Sequence, residues 1–284
     1  MKFSFHSFVS KLTLATAVAG TLVGCDDPEY PTPAPVTSSS VGQARVLVVN
    51  AAPGTQGVNV QLDNSPFGSA LAYLSAGSYT PVNAGSRLFL FNDAANIPAT
   101  PAAATTAGVA PLTAPRTLVS RTSFSGGTSY TTFITDAPTR AYVYPVTSTS
   151  DQGGIRLLTL TDNLAAPAVA TNAKVRFVNL ATSGTYGIFS TATASSLFSA
   201  VPFRASRAST NTSTATPPVT TNFANFTEVP AGPYALDVRS AATAPLAGTA
   251  LGVTFVAGKI YTLYVRGVAG STTTPLGISV VTHN

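Results

Sequence analysis

Short stretches of alternating hydrophobic and polar residues run through most of the chain. Val58, Val60 and Leu62 alternate with Asn59, Gln61 and Asp63, the period of a strand with one buried face. Leu47-Val48-Val49 is instead an unbroken apolar run and predicts a strand buried on both faces. Asn83-Ala84-Gly85, Gly126-Gly127, Pro230-Ala231-Gly232 and Ala257-Gly258 each precede a further strand-like stretch. Each predicts a short hairpin connection whose glycine takes the left-handed position. No stretch after residue 24 sustains the 3.6-residue period of a long helix.

The pattern repeats. Ala44-Arg-Val-Leu-Val-Val-Asn50 matches Ala173-Lys-Val-Arg-Phe-Val-Asn179, and the stretch from Tyr79 to Gly85 matches that from Phe226 to Gly232. Phe124 to Thr131 matches Phe255 to Thr262, and Arg156 to Asn163 resembles Gly277 to Asn284. Four blocks in one order indicate a tandem duplication. Their offsets of 129, 147, 131 and 121 residues place the length changes in three tracts, 97–115, 142–154 and 204–221, which are predicted to be loops. About seven short strands per copy predict an all-β chain of two tandem antiparallel β-sandwiches of immunoglobulin-like appearance. A barrel is the alternative. The boundaries are 44–163 for the first sandwich, 164–172 for a linker and 173–284 for the second.

The start of the chain is patterned differently. Lys2 and Lys11 precede an apolar run of eleven residues from Leu12 to Leu22, too short for a membrane span of about twenty residues. A basic start, a short apolar core and small residues describe a secretory signal. Leu22-Val23-Gly24-Cys25 resembles a bacterial lipobox. That resemblance implies cleavage between Gly24 and Cys25 and lipid on the Cys25 sulfur and amine, with residues 1–24 as the signal peptide. The alternative is an ordinary signal with an incidental cysteine, but no second cysteine is present to form a disulfide. Two or more acyl chains hold a protein on a membrane where one does not, at about 0.8 kcal/mol per buried methylene. Asp26, Asp27 and Glu29 follow the cysteine and resemble the surface-export signal of some diderm lipoproteins, which implies an outer-membrane or surface location; in other diderms an aspartate next to the cysteine implies inner-membrane retention. Pro28, Pro31, Pro33 and Pro35, followed by Ser38 to Ser40, make residues 25–43 a tether that reaches at most ~55 Å.

Composition adds limits. The chain of 284 residues has 15 basic and 10 acidic side chains, and loss of Lys2 and Lys11 leaves 13 − 10, about +3. No Lys/Arg cluster appears, which argues against a nucleic-acid partner. Only 9% of residues are charged, so Ser, Thr, Asn and Gly must cover the surface.

Little of this points to chemistry. Beyond the signal the one histidine is His283, expected as an exposed residue ending the last strand and unsuited to a Ser-His-Asp or Cys-His arrangement. Histidine/cysteine metal sites fail on ligand number, and no phosphate-binding or dinucleotide motif occurs. No catalytic residue, metal or cofactor is predicted. Asp63, Asp93, Asp136, Asp151, Asp162, Glu228 and Asp237 mostly stand at predicted turns or strand ends, where such residues cap backbone. Tyr142 and Tyr144 are candidate ligand contacts, since exposed tyrosines stack on sugar rings. The leading expectation is a non-catalytic structural or interaction module at the cell envelope, held to the membrane through Cys25 and meeting an envelope protein or glycan. A carbohydrate-binding surface module is the alternative, and a glycan hydrolase using two carboxylates is a third reading.

The opening strand with its Ala-x-Val-x-x-Val-Asn spacing, the Thr-x-Val-x-Ala-Gly turn, the Phe-x-x-Gly-x-x-Tyr-Thr pair and Leu160-Thr-Asp-Asn-Leu-Ala-Ala-Pro167 together resemble the domain of unknown function 4397. The resemblance covers about 44–163 and 173–284. It implies an extracytoplasmic bacterial lipoprotein carrying tandem units, with no known activity and no catalytic residues to transfer.

Overall fold

The computed structural model describes residues 42–94, 118–140, 154–182, 184–210, 219–240, 244–246 and 248–284, all within one compact unit spanning 41–284. Gly24, Cys25, Tyr142, Tyr144 and Asp151 lie outside the described residues.

Described residues are strands, turns and irregular segments, an all-β fold. The first half holds β1 (Gln43–Asn50), β2 (Val58–Leu62), β3 (Ser65–Pro66), β4 (Thr80–Asn83), β5 (Gly85–Asp93), β6 (Leu118–Phe124), β7 (Ser129–Thr135) and β8 (Arg156–Asp162). One sheet has the order β4-β1-β7-β8 and the other β3-β2-β5-β6. The second half holds β9 (Asn172–Asn179), β10 (Thr185–Ser190), β11 (Ser195–Pro202), β12 (Arg207–Thr210), β13 (Val219–Asn222), β14 (Thr227–Pro230), β15 (Gly232–Arg239), β16 (Leu251–Phe255), β17 (Ile260–Arg266) and β18 (Gly277–Thr282). Its sheets run β14-β9-β17-β18 and β11-β10-β15-β16, the order of the first half strand for strand. Registers agree as well: Leu47 lies opposite Thr131 in one half and Arg176 opposite Thr262 in the other.

Four expectations are corrected. Each half has eight strands in two sheets rather than seven, because β3 and β11 add an edge. The sandwiches are not wholly antiparallel, since β1 pairs with β7 and β9 with β17 in parallel. The glycine turns are corners rather than hairpins: Gly85 and Gly232 carry the chain from one sheet of a half to the other, as do Gly127 and Gly258. A turn signal in sequence reports local backbone direction and is silent on which sheet receives the next strand. The tract 204–221, read as a loop, contains the paired ribbon β12–β13.

Side-chain alternation builds three cores from four layers. Val46, Val48, Phe89, Phe91 and Phe124 fill the space inside the first half, and Val175, Phe177, Leu236, Phe255 and Leu263 fill the second. The opposite faces of β1, β7, β9 and β17 meet at a seam between the halves, where Leu47, Val49, Phe133, Leu158 and Leu160 pack on Val178, Leu180, Tyr264 and Val281. The unbroken Leu47-Val48-Val49 run is thereby explained, for it serves two cores at once. Burying each such side chain contributes about 1.5–3 kcal/mol. Phe133 and Tyr264 occupy matching places in β7 and β17, opposite Val49 and Val178, and touch each other, ring centroids 5.7 Å apart. Contact between counterparts is the mark of a two-fold arrangement, here within a single chain.

The connection 164–172 is tied down at both ends. Lys174 Nζ donates to the carbonyls of Asn163 (3.1 Å) and Ala165 (2.8 Å). The Glu228 carboxylate accepts from the backbone amides of Ala168 (2.5 Å) and Val169 (3.2 Å) and from Asn172 Nδ2 (3.3 Å).

Candidate functional site

Among the described residues, a buried group of polar side chains lies in the seam. Period-two alternation carries it there: Asp162 follows Leu158 and Leu160 on one face of its strand, and His283 follows Val281. Arg176 precedes Val178 and Leu180 in the same way, and Thr131 and Thr262 precede Phe133 and Tyr264.

These groups form a closed ring, whose proton positions follow from counting donors and acceptors. Arg176 Nε can only donate, and it reaches Thr262 Oγ1 at 2.8 Å. The Asp162 carboxylate can only accept, so the Tyr79 hydrogen goes to it and His283 Nδ1 must give its own hydrogen to Tyr79 Oη at 2.8 Å. Nε2 of the neutral ring is then bare and accepts from the Thr262 hydroxyl, 2.7 Å away. Tyr79 donates in turn to Asp162 Oδ2 at 2.7 Å, where Thr131 Oγ1 also donates at 2.7 Å. Asp162 Oδ1 lies 2.7 Å from an Arg176 terminal nitrogen and closes the ring, with both side chains fully buried. That last contact is a buried ion pair. Arg176 also donates to the carbonyls of Thr161 (3.0 Å) and Ala224 (3.3 Å) and stacks over the Phe226 ring at 4.6 Å.

Burial and charge set the protonation states. Desolvation, aided by the Arg176 charge and opposed by Asp162, pushes the His283 imidazole down to about 4, so it is neutral in the fold. Burial and the neighbouring Asp162 carboxylate hold the Tyr79 hydroxyl well above the ordinary tyrosine range. Burial pulls Arg176 below the usual guanidinium range, with Asp162 acting in the opposite sense.

His283 is thus not the exposed residue expected from sequence; it is only 7% exposed. Its amide donates to the Ile260 carbonyl at 2.9 Å, and Asn284 Oδ1 accepts from the Ile260 amide at 2.9 Å. Those bonds hold the strand end flat and turn the ring inward.

A hydroxyl, an imidazole and an acid in line is the arrangement that activates a nucleophile. Here Thr262 has no exposed surface. Tyr79 stands between the imidazole and the acid, and Arg176 neutralises the acid. What the ring can do is join halves: Tyr79, Thr131 and Asp162 come from the first, and Arg176, Thr262 and His283 from the second.

The other described carboxylates are also engaged. Asp63 accepts from the Leu88 amide and pairs with Arg87 at 3.2 Å, and Asp93 accepts from the Gln56 amide. Asp136 lies 3.6 Å from Arg140 and 3.5 Å from Arg156. Asp237 grips Arg239 at 2.9 and 3.1 Å, and that guanidinium covers the Phe189 ring. Capping of backbone, as expected, describes Asp63, Asp93 and Glu228, whereas Asp136, Asp162 and Asp237 serve ion pairs. Among the described residues no group of three or more metal-ligating side chains occurs.

Sequence reasoning singled out Asp162 and His283 separately and missed Tyr79, Thr131, Arg176 and Thr262. A usable signal existed in the repeated blocks, where Leu47 stands against Arg176, Tyr79 against Phe226 and Asp162 against His283. These columns break the match, and all three fall on the seam.

The family model "Domain of unknown function (DUF4397)" matches residues 44–185, half of the chain. The chain belongs to the DUF4397 family. The matched DUF4397 region takes in the first half, the tied connection and β9. No curated protein matches. Among solved structures, a provisionally named cell adhesion protein from Bacteroides uniformis ATCC 8492 shares 10% identity, with 86% of this chain and 99% of that chain covered and a TM-score of 0.18. Another from Bacteroides eggerthii DSM 20697 shares 10% identity, with 85% and 95% covered and a TM-score of 0.17. At those TM-scores neither likeness bears on what this DUF4397 protein does.

Proposed function

We propose that the chain is an extracytoplasmic lipoprotein, cut between Gly24 and Cys25 and anchored by lipid on Cys25. Two tandem DUF4397 units, 44–163 and 173–284, then serve as a non-catalytic structural or interaction module at the cell envelope. The observation that carries the reading is the sealed ring: the imidazole, a hydroxyl placed to be activated and the nearest acid are all consumed in joining the halves. A neutralised, doubly tied connection supports the same view, since it fixes the two units as a rigid load on the 25–43 tether.

Two experiments test it. Cys25→Ser should abolish labelling by an alkyne fatty acid and release the protein from membranes; persistent labelling removes the anchor from the proposal. The soluble 44–284 fragment, used as bait in envelope extracts, should retain a protein or glycan. Turnover of a substrate by that fragment with no partner retained would overturn the module reading.

A further inference from the structure

The seam holds a buried imidazole, that of His283, and its surroundings are biased. Facing His283 are Tyr79, ahead of β4, Asp162 on β8, Arg176 on β9 and the Phe226 ring ahead of β14. Lys174 lies over the far part of the same Phe226 ring at 5.8 Å, and Arg45 lies over the Tyr79 ring at 5.1 Å. Lys259, one residue before β17, bonds the neighbouring Asn284 at 3.0 Å. Of these charged groups, Arg176 and Asp162 act directly on the neutral imidazole.

The ring also has a fixed direction. Nε2 is the acceptor for Thr262, whose oxygen accepts from Arg176. A proton added at Nε2 turns that nitrogen into a donor and leaves the Thr262 hydrogen without its acceptor. It also places a second buried cation beside Arg176, with Asp162 alone to balance both. Buried unpaired charge and orphaned donors are among the most costly defects a protein interior can carry.

We propose that the ring is an acid-sensitive joint, in which protonation of His283 opens the seam between the halves while each sandwich keeps its own core. The separation of cores makes this possible. The two interior clusters share no residues with the seam cluster, so the seam can part without exposing either. Burial and Arg176 lower the imidazole from 6.5 to about 4. That shift means protonation disfavours the closed seam roughly 300-fold.

The test uses the full chain, 15N-labelled at histidine, in mild detergent between pH 7 and 3. Imidazole nitrogen shifts should report a neutral ring with its hydrogen on Nδ1 at pH 7 and a protonation midpoint near pH 4. His6 supplies an internal reference if the leader is retained. Small-angle scattering should show the radius of gyration rising with the same midpoint while far-UV circular dichroism stays that of a β protein. His283→Gln, which does not titrate, should show no rise over this range. A His283 that titrates near 6.5, a protonated ring with unchanged dimensions, or loss of β signal together with expansion would each overturn the proposal. An identical rise in His283→Gln would do so too. If that variant does not fold, coincidence of the nitrogen and scattering midpoints in the wild-type chain decides the matter.

Discussion

Arg176 and Asp162 meet at 2.7 Å with no solvent exposure on either side chain, one contributed by each half of the chain. The pair is asymmetric in a two-fold setting, because the residue matching Arg176 in the first half is Leu47. Arg176→Leu would restore the match and leave Asp162 buried with no countercharge. Removing one partner of a buried pair costs about 3–5 kcal/mol, whereas an apolar replacement of both is often neutral. Urea denaturation should therefore find Arg176→Leu far less stable than wild type. The double change Arg176→Leu with Asp162→Leu should recover more than half of the loss. Equal damage in single and double variants would mean that shape, not charge, governs the position.

That pair also shows where reading the sequence stopped. Strand positions and the two-sided burial of Leu47-Val48-Val49 were legible, because period two and an unbroken apolar run report burial directly. Asp162 and His283 continue the same alternation past Leu160 and Val281, yet polar residues on a buried face read as strand ends. Their burial depends on a surface supplied by the other half, which no local period encodes. The corners at Gly85 and Gly232 were misread as hairpins for a similar reason: the partner strand is chosen by tertiary packing.

Gly267 and Gly258 both take left-handed backbone, with φ of 92° and 78°. They differ in space. A Cβ on Gly267 would collide with the Pro275 carbonyl oxygen, and one on Gly258 would meet nothing within 4 Å. Gly258→Ala should cost only the left-handed penalty of about 1–2 kcal/mol. Gly267→Ala must also displace the Pro275 backbone and should cost more than about 3 kcal/mol or prevent folding. Asp136, the match of Gly267 in the first half, carries a side chain at φ 64°, so the obstruction belongs to the β17–β18 turn. Thermal melts of the two variants rank them, and similar midpoints would contradict the close approach.

Glu228 is half-buried, and its carboxyl is held below the ordinary range first by the Ala168 amide, then by the Val169 amide. A depressed folded value means its contribution is present above the unfolded value of 4.5 and fades as pH falls through the lower folded one. Glu228→Gln should speed amide exchange at Ala168 and Val169 at neutral pH and leave the global unfolding midpoint nearly unchanged. Unaltered exchange at both amides would show that the connection is held without the carboxylate.

Tyr79 is the one ring member whose counterpart, Phe226, already shows that a phenylalanine can occupy the matching place. Tyr79→Phe should therefore fold, losing the hydroxyl that links His283 Nδ1 to Asp162 Oδ2. An orphaned buried donor costs about 1–3 kcal/mol, and that loss should appear at pH 7. The variant should also change the alkaline limb. Burial and Asp162 raise the folded Tyr79 value above 10, so above pH 10 the unfolded chain sheds a proton that the fold retains, and stability falls with rising pH. Tyr264, pushed up to about 12 by burial, and Tyr73, raised in the same way, add to that limb. Each such proton contributes a slope of about 1.4 kcal/mol per pH unit. Tyr79→Phe should lower the slope between pH 10 and 12 by about one proton and leave the remainder. Denaturant midpoints across that range measure it, and an unchanged slope would place the Tyr79 hydroxyl outside the ring.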